Sequence, residues 1–392
     1  MLYKNVLSNF TWSRERAQMS ALGAFVPRIS SARFARRALT PHARVMSANA
    51  SKSEDEVILV TGATGRVGKE VVARLSAIPG FRVRAATRDK SAYAEALGAH
   101  ETVVFDLEDK STWPGAIRGA TRLFSSTQDK HISQHMEFVK WLGNTPEVRD
   151  SLKHIVRVSC FGADTNTNSY DASIHVSRQN AGIPLMLQHY WWSEECFIEA
   201  GFKEKLTSVR GNFYMNHLLK NELESIKTKG MFTSPLGDCK NSFVACNDMA
   251  EAAVRCFVEG PERHGDKFYD ICGAQSTSMA EVAEILTKAL ATDEAKNVCP
   301  EAHGKRITYV PQDIEQFEQD FGSTRAEFFE YLRNGFYSRC SPDFYNITGK
   351  RPMTYFEYLT TKGAAGDTGP VSYTHLRAHE TEADLVCRLL LE

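Results

Sequence analysis

Three glycines spaced three residues apart follow a short run of β-forming residues. The run Val57–Val60 leads directly into Gly62, Gly65 and Gly68. One glycine permits a tight turn after a strand, another lets a pyrophosphate approach the backbone, and the third lets a helix pack closely. The start of that helix offers unpaired N–H groups and a partial positive charge to phosphate oxygens. The spacing therefore predicts a loop that binds the pyrophosphate of a dinucleotide, and a glycine turn that serves only packing is the alternative. The predicted contacts are Gly62, Thr64, Gly65, Arg66, Val67 and Gly68.

The end of the second predicted strand, Phe81–Thr87, bears on which nicotinamide dinucleotide binds. An acidic residue at this position would hold the ribose 2′-hydroxyl of NAD. The chain instead has Arg88 there, followed by Asp89. A guanidinium at this place, helped by Arg66, favours the 2′-phosphate of NADP(H). We therefore predict NADP(H) over NAD(H), and the alternative is a solvated Arg88 with Asp89 on the ribose.

The elements around the glycine loop alternate between strand and helix. β-forming runs are separated by segments with helical apolar periodicity. This alternation predicts βαβ crossovers, and so an α/β fold with a doubly wound parallel Rossmann sheet. The predicted strands are Val57–Val60, Phe81–Thr87, Thr102–Phe105, Leu123–Thr127 and His154–Ser159, and helices are predicted after Gly65 and over 91–97, 113–119 and 131–142.

Motifs further along the chain match, in their order, those of a known family. They include VTGATG at 60–65, HIVRVSCFGAD at 154–164, VRGNFYMN at 209–216 and TGKRP at 348–352. Over roughly 56–360 the chain resembles the NmrA-like family of atypical short-chain dehydrogenases/reductases. The resemblance implies an NAD(P)-binding Rossmann domain over 54–215 and a smaller C-terminal α/β substrate lobe over 216–365, with cofactor and substrate in the cleft between them.

The resemblance also implies further cofactor contacts. Asp106 and Leu107 would flank the adenine, and Ser126 and Thr127 would lie near the ribose or nicotinamide. The family includes quinone, azo-dye and triphenylmethane-dye reductases, and also redox-sensing regulators that bind the dinucleotide without turnover.

A proton donor is harder to assign. Typical short-chain dehydrogenases use Tyr-x-x-x-Lys, in which the lysine lowers the pKa of the tyrosine. This chain has that spacing only at Tyr358 and Lys362, far past the predicted sheet. The family often has a histidine four residues before the first glutamate of a pair, and here that position is Tyr190, preceded by His189.

Three residues are therefore predicted to be catalytic, each with an open alternative. Tyr190 or His189 would protonate a substrate, or either would line the pocket. Ser159 ends the fifth predicted strand, at the edge where α/β proteins bind ligands, and would hydrogen-bond a substrate carbonyl or cap the turn. The long polar segment 165–188 is typical of a lid. The aromatic run at 190–192 that follows it would stack on a planar substrate or belong to the core.

These features predict an NADPH-dependent reductase that transfers hydride to a small planar substrate, quinone-like or carbonyl-like. The alternative is a non-catalytic NADP(H)-binding redox sensor or assembly protein, because the usual Tyr/Lys pair is missing. A nucleotide-sugar epimerase or dehydratase is a weaker interpretation, since those enzymes need that pair. The nine cysteines contain no CxxC pair, and the spacing of His131 and His135 is more typical of a solvated helix face than of a metal site. We predict no metal, no membrane span and no electrostatic footprint for nucleic acid.

The two ends of the chain differ from the rest. Residues 1–53 hold nine Lys/Arg and one acid, and are rich in Ser, Ala and Arg, which predicts a disordered organelle transit peptide, plastid rather than mitochondrial. If this segment is instead an upstream extension, with Met19 or Met46 as the start, the protein would be cytoplasmic. Residues 366–392 are predicted to be a disordered tail, of which 371–392 resembles the conceptual translation of a sequencing adapter. A genuine amphipathic tail is the alternative for that stretch.

Overall fold

The computed structural model describes residues 56–88, 98–163, 184–293, 295 and 300–360. A seven-stranded parallel sheet has the order β3-β2-β1-β4-β5-β6-β8, and a two-stranded parallel sheet pairs β7 with β9. The strands are β1 (Glu56–Val60), β2 (Phe81–Thr87), β3 (Glu101–Val104), β4 (Arg122–Ser125), β5 (His154–Cys160), β6 (Leu206–Gly211), β7 (Met231–Ser234), β8 (Lys267–Ile271) and β9 (Thr308–Pro311).

Helices cover both faces of the large sheet or belong to the smaller C-terminal part. They are α1 (Arg66–Ser76), α2 (Trp113–Ile117), α3 (Ile132–Asn144), α4 (Pro146–Ser151), α5 (Leu185–Phe197), α6 (Asn216–Lys229), α7 (Cys246–Glu259), α8 (Pro261–His264), α9 (Met279–Leu290), α10 (Ile314–Phe321), α11 (Ser323–Leu332), α12 (Asp343–Thr348) and α13 (Tyr355–Thr360). No described helix is long and apolar enough to cross a membrane.

Burial on both faces explains the unbroken apolar run of β1. Successive strand side chains point to opposite faces. Ile58 and Val60 pack in the core formed with α1 and α7, whereas Leu59 packs in the core formed with α2, α3 and α5. A strand with two buried faces reads as a continuous hydrophobic run. The predicted doubly wound Rossmann sheet is confirmed.

A third core fills the smaller C-terminal α/β part. It joins α6, α9, α11 and α13 to the strands β7 and β9. The strand β8 and the helix α7 also come after residue 216, yet β8 pairs with β6 and α7 packs on the large sheet. The chain therefore returns to the large sheet after entering the smaller part. The division into lobes at residue 215 stays a prediction.

Element boundaries differ from the predicted ones by one or two residues in most cases. The fourth strand was expected to reach Thr127 but ends at Ser125. There the Ser126 N–H donates to Thr61 Oγ1 at 3.1 Å, so a side chain replaces the next sheet hydrogen bond. The predicted helix over 91–97, most of the predicted lid, the segment 1–53 and the tail 366–392 lie outside the described residues.

Candidate cofactor and active site

The glycine loop lies where the order of the large sheet reverses. β1 has β2 on one side and β4 on the other, and ligands of such sheets bind outside the carboxyl ends of the strands at this point. Gly62 follows β1 with a φ of +62°, a conformation that favours glycine. The Gly65 N–H donates to the Gly62 carbonyl at 2.9 Å, which closes a tight turn. Gly62, Thr64 and Gly65 are exposed, so their backbone can meet a ligand.

Gly68 has a steric reason to be glycine. An ideal Cβ on Gly68 would lie 2.8 Å from the carbonyl carbon of Gly62 and closer still to its oxygen. The first turn of α1 therefore packs directly against the turn that precedes it. The N-cap Gly65 has no side chain to occupy the first N–H groups of α1, and the first turn contains no acid. This glycine cradle, with uncapped N–H groups and no opposing acid, fits a diphosphate.

The residue that follows β4 borders the same turn. Thr61 Oγ1 donates to the carbonyls of Phe124 and Ser126 at 3.1 and 3.3 Å. This tie holds Ser126 against Gly62, where an added Cβ would be 3.5 Å from Ser126 Oγ. Ser126 and Thr127 are half-buried at this edge. The structure thus brings the predicted ribose or nicotinamide contacts to the glycine loop.

The residues predicted to contact the adenosine end of the dinucleotide follow the ends of β2 and β3. The Phe105 N–H donates to the Thr87 carbonyl, which brings Arg88 and Asp106 to neighbouring positions on this edge. Trp113 Nε1 donates to the Asp106 carbonyl at 2.9 Å and fixes the turn. Arg88 is exposed, and its predicted alternative partner Asp89 lies outside the described residues.

Arg66 points away from that side. Its Nη1 donates to Asn216 Oδ1 at 2.9 Å, at the start of α6. Because α6 follows β6, and β6 and β2 lie on opposite sides of β1, this contact directs Arg66 away from Arg88. The assignment of Arg66 to the 2′-phosphate stays a prediction, and the structural case for NADP(H) depends on Arg88.

Two of the three predicted catalytic residues, Ser159 and Tyr190, lie where α5 packs on β5. Ser159 is buried near the end of β5, and the ring of Tyr190 lies with its centroid 5.8 Å from the guanidinium carbon of Arg157. Tyr190 is also close enough to Tyr337 to contribute to raising its pKa, although burial is the main cause of that rise. His189, by contrast, packs on Trp192 with the ring centroids 5.7 Å apart.

A buried polar network beneath Tyr190 was missed in the sequence. Arg157 is fully buried, and its Nε donates to Ser193 Oγ at 3.0 Å. His135 contacts Ser125 Oγ through Nε2 at 2.8 Å and Ser193 Oγ through Nδ1 at 3.2 Å. Burial, with the charge of Arg157, holds the pKa of His135 well below its usual value, so the ring is neutral. The expectation that His135 lies on a solvated helix face is wrong, because α3 turns this residue toward the sheet.

Glu194 lies four residues after Tyr190, at the position where a Tyr-x-x-x-Lys pair has its lysine. Its two carboxylate oxygens accept from Arg210 Nε and Nη2 at 3.0 and 2.7 Å, and Ser208 Oγ donates to Oε1 at 2.5 Å. Burial by itself raises the pKa of Glu194, but the Arg210 charge and the hydrogen bonds of Arg210 and Ser208 outweigh burial and lower it. Glu194 is therefore ionised at neutral pH and cannot serve as the proton donor.

Comparison with known proteins decides the family. The model of the NmrA-like family matches residues 54–328. This chain belongs to the NmrA-like family. The resemblance stated from the motifs is thereby confirmed.

The relatives of this NmrA-like protein include oxidoreductases. An NAD(P)H azoreductase from Xenophilus azovorans is 27% identical over 79% of this chain and 99% of its own length. The solved structure of an NADPH-dependent quinone oxidoreductase from Escherichia coli, in complex with NADPH, matches with a TM-score of 0.57 at 20% identity, over 77% of this chain and 97% of that one. The triphenylmethane reductase of Citrobacter sp. in complex with NADP(H) matches with a TM-score of 0.58 at 19% identity, over 77% and 98%. At these identities the two structures establish the fold.

Proposed function

We propose that this protein is an NAD(P)H-dependent oxidoreductase that reduces a small planar acceptor of the quinone or azo type. The observation that carries the proposal is the glycine cradle formed by Gly62 and the first turn of α1, where no side chain caps the first N–H groups and position 68 packs too closely on Gly62 for any side chain. A nicotinamide dinucleotide bound there supplies a hydride. The azo- and quinone-reducing relatives support the acceptor class.

The residues around the cradle have distinct roles in this proposal. The first N–H groups of α1 bind the diphosphate, and Ser126 and Thr127 border the sugar and nicotinamide end. Arg88, exposed at the end of β2, pairs with a 2′-phosphate, which favours NADPH over NADH. Tyr190, beside the end of β5, is the proton donor to the reduced acceptor.

The assignment of Tyr190 rather than His189 follows from their neighbours. Both residues are half-buried on α5, but Tyr190 lies over Arg157 on the sheet, whereas His189 packs on an indole ring of the same helix. Glu194 is excluded as a donor by its charge. Ser159 Oγ is buried and has no hydrogen-bond partner among the described residues, so its role toward a substrate carbonyl stays a prediction.

The experiment is a titration of the full chain with NADPH and with NADH, followed through nicotinamide fluorescence. Cofactor consumption is then measured with a panel of quinones, azo dyes and triphenylmethane dyes. We expect tighter binding of NADPH and turnover with at least one acceptor class. Failure to bind either dinucleotide would overturn the proposal.

A second function has one observation in its favour. The position four residues after Tyr190 is an ionised glutamate paired with arginine, so the usual catalytic lysine is absent from the helix that carries the tyrosine. A redox sensor that binds NADP(H) without consuming it needs no such lysine. Tight NADPH binding with no turnover above background across the whole panel would favour this function over the reductase.

A further inference from the structure

Arg157 is a positive charge held inside the protein at the centre of the large sheet. It lies on β5, between β4 and β6, and is fully buried on the face covered by α3 and α5. Its Nε donates to Ser193 Oγ, and its Nη1 donates to the Ser125 carbonyl at 3.3 Å. Burying a guanidinium costs free energy, which hydrogen bonds of this kind partly offset.

The phenol ring of Tyr190 lies near this charge. The guanidinium carbon lies 5.8 Å from the ring centroid, within the range at which a cation interacts with an aromatic ring. Ser125 and Ser193 fix the guanidinium from two different elements, so the distance does not depend on a flexible side chain. A fixed positive charge at this distance, shielded from water, stabilises a tyrosinate.

Three titratable groups near Tyr190 in the described part of the chain do not cancel this effect. Glu194 on the same helix is neutralised by Arg210 from β6. His135 from α3 is neutral. The pKa of Tyr337 is raised well above its usual value, mainly by burial, and its hydroxyl donates to the Phe161 carbonyl at 2.6 Å. Among the described residues, further titratable groups on this side are Cys160 beside Tyr337, Tyr331 from α11, and His189 and Glu195 on α5 itself.

We propose that Arg157 is a positioning residue for Tyr190. From β5 it supplies the positive charge that, in a Tyr-x-x-x-Lys pair, comes from a lysine on the same helix as the tyrosine. The inference rests on the proposed reductase function. After hydride addition the acceptor is an anion. Tyr190 gives it the phenolic proton: the tyrosine O–H bond breaks, an O–H or N–H bond forms on the acceptor, and the electron pair stays on the tyrosine oxygen. Arg157 stabilises that tyrosinate until water returns a proton.

The experiment measures the ionisation of Tyr190 directly and needs no turnover. The near-ultraviolet absorbance of tyrosinate is titrated in the wild-type full chain and in Tyr190→Phe, and the difference reports Tyr190. The same difference is taken in an Arg157→Met background, which removes the charge and keeps much of the volume, and in an Arg157→Lys background, which keeps the charge. We expect the midpoint of Tyr190 ionisation to rise by about one to two pH units in Arg157→Met, and by less than about half a unit in Arg157→Lys.

Equal midpoints in wild type and Arg157→Met, both folded by near-ultraviolet circular dichroism, would overturn the proposal. If Arg157→Met does not fold, the comparison of wild type with Tyr190→Phe still tests the proposal. An unperturbed tyrosine ionises near about pH 10. A Tyr190 midpoint at or above that value overturns the proposal, and a lower midpoint supports it. A lack of turnover with every acceptor would refute the reductase and leave the titration result unaffected. With an active acceptor, we expect Arg157→Met to lower kcat at least about tenfold and to leave NADPH binding within about twofold, with recovery in Arg157→Lys.

Discussion

Replacing Gly68 with alanine tests the cofactor cradle with a single methyl group. The added Cβ would lie 2.8 Å from the Gly62 carbonyl carbon and nearer still to the oxygen, whereas Cβ atoms essentially never come within 3.0 Å of a neighbour. Both obstructing atoms belong to the backbone, so no side chain can rotate to relieve the clash. The start of α1 and the Gly62 turn must then separate by about 1 Å, and overpacking of this kind costs about 1–3 kcal/mol of stability.

The same displacement should weaken cofactor binding more than it weakens the fold. The N–H groups that would hold the diphosphate lie at the point of separation. In enzymes, a misplacement of about 1 Å can lower the reaction rate roughly a hundredfold. We expect Gly68→Ala to raise the Kd for NADPH by at least about fiftyfold, measured by nicotinamide fluorescence, and to lower Tm by several degrees.

Gly115 provides a matched control for this variant. It lies inside the helix α2, and a Cβ built on it meets nothing within 4 Å. Gly115→Ala should leave NADPH affinity unchanged and stabilise the fold by about 0.5–1 kcal/mol, because alanine loses less backbone entropy than glycine in a helix. If Gly68→Ala binds NADPH within twofold of wild type, the steric argument for the cradle is wrong.

Further predictions concern charge and location. Arg88→Ala should raise the Kd for NADPH about tenfold and leave that for NADH within about twofold, and an equal loss for both would contradict a 2′-phosphate contact. Burial raises the pKa of Asp248 to about 7, so its contribution to stability is fully present below about pH 4 and is lost as the pH rises through about 7. Asp248→Asn should therefore be more stable than wild type by roughly 2–4 kcal/mol at pH 8, with no such gain at pH 4, as measured by urea unfolding. Glu194→Gln should cost about 3–5 kcal/mol in the same assay because it leaves a buried arginine without its carboxylate, whereas the exposed Glu199→Gln should change stability by less than about 0.5 kcal/mol. Residues 1–53 fused to a fluorescent protein should direct it to plastids, and cytosolic fluorescence would contradict the transit-peptide proposal.

Local patterns in the sequence were sufficient to predict the strand, glycine turn and helix with which the large sheet begins. The run Val57–Val60 and the glycines that follow it lie within a dozen residues, and each depends on its nearest neighbours in the chain. A short run of β-forming apolar residues next to turn residues is typical of a strand buried on both faces, and a glycine that faces a backbone carbonyl tolerates no side chain. The order of the motifs along the chain was sufficient to identify the family.

Contacts between residues far apart in the sequence determine the buried polar network beneath Tyr190. Nothing near Arg157 in the sequence distinguishes a buried cation from a surface one, and its partners Ser125 and Ser193 are 32 and 36 residues away. His135 looked solvated because its helix has polar residues on more than one side, and only the packing of α3 showed which side is buried. Sequence spacing fixes which residues share a local element. The free energy of burying a charge beneath an aromatic ring depends on elements that only the folded sheet brings together.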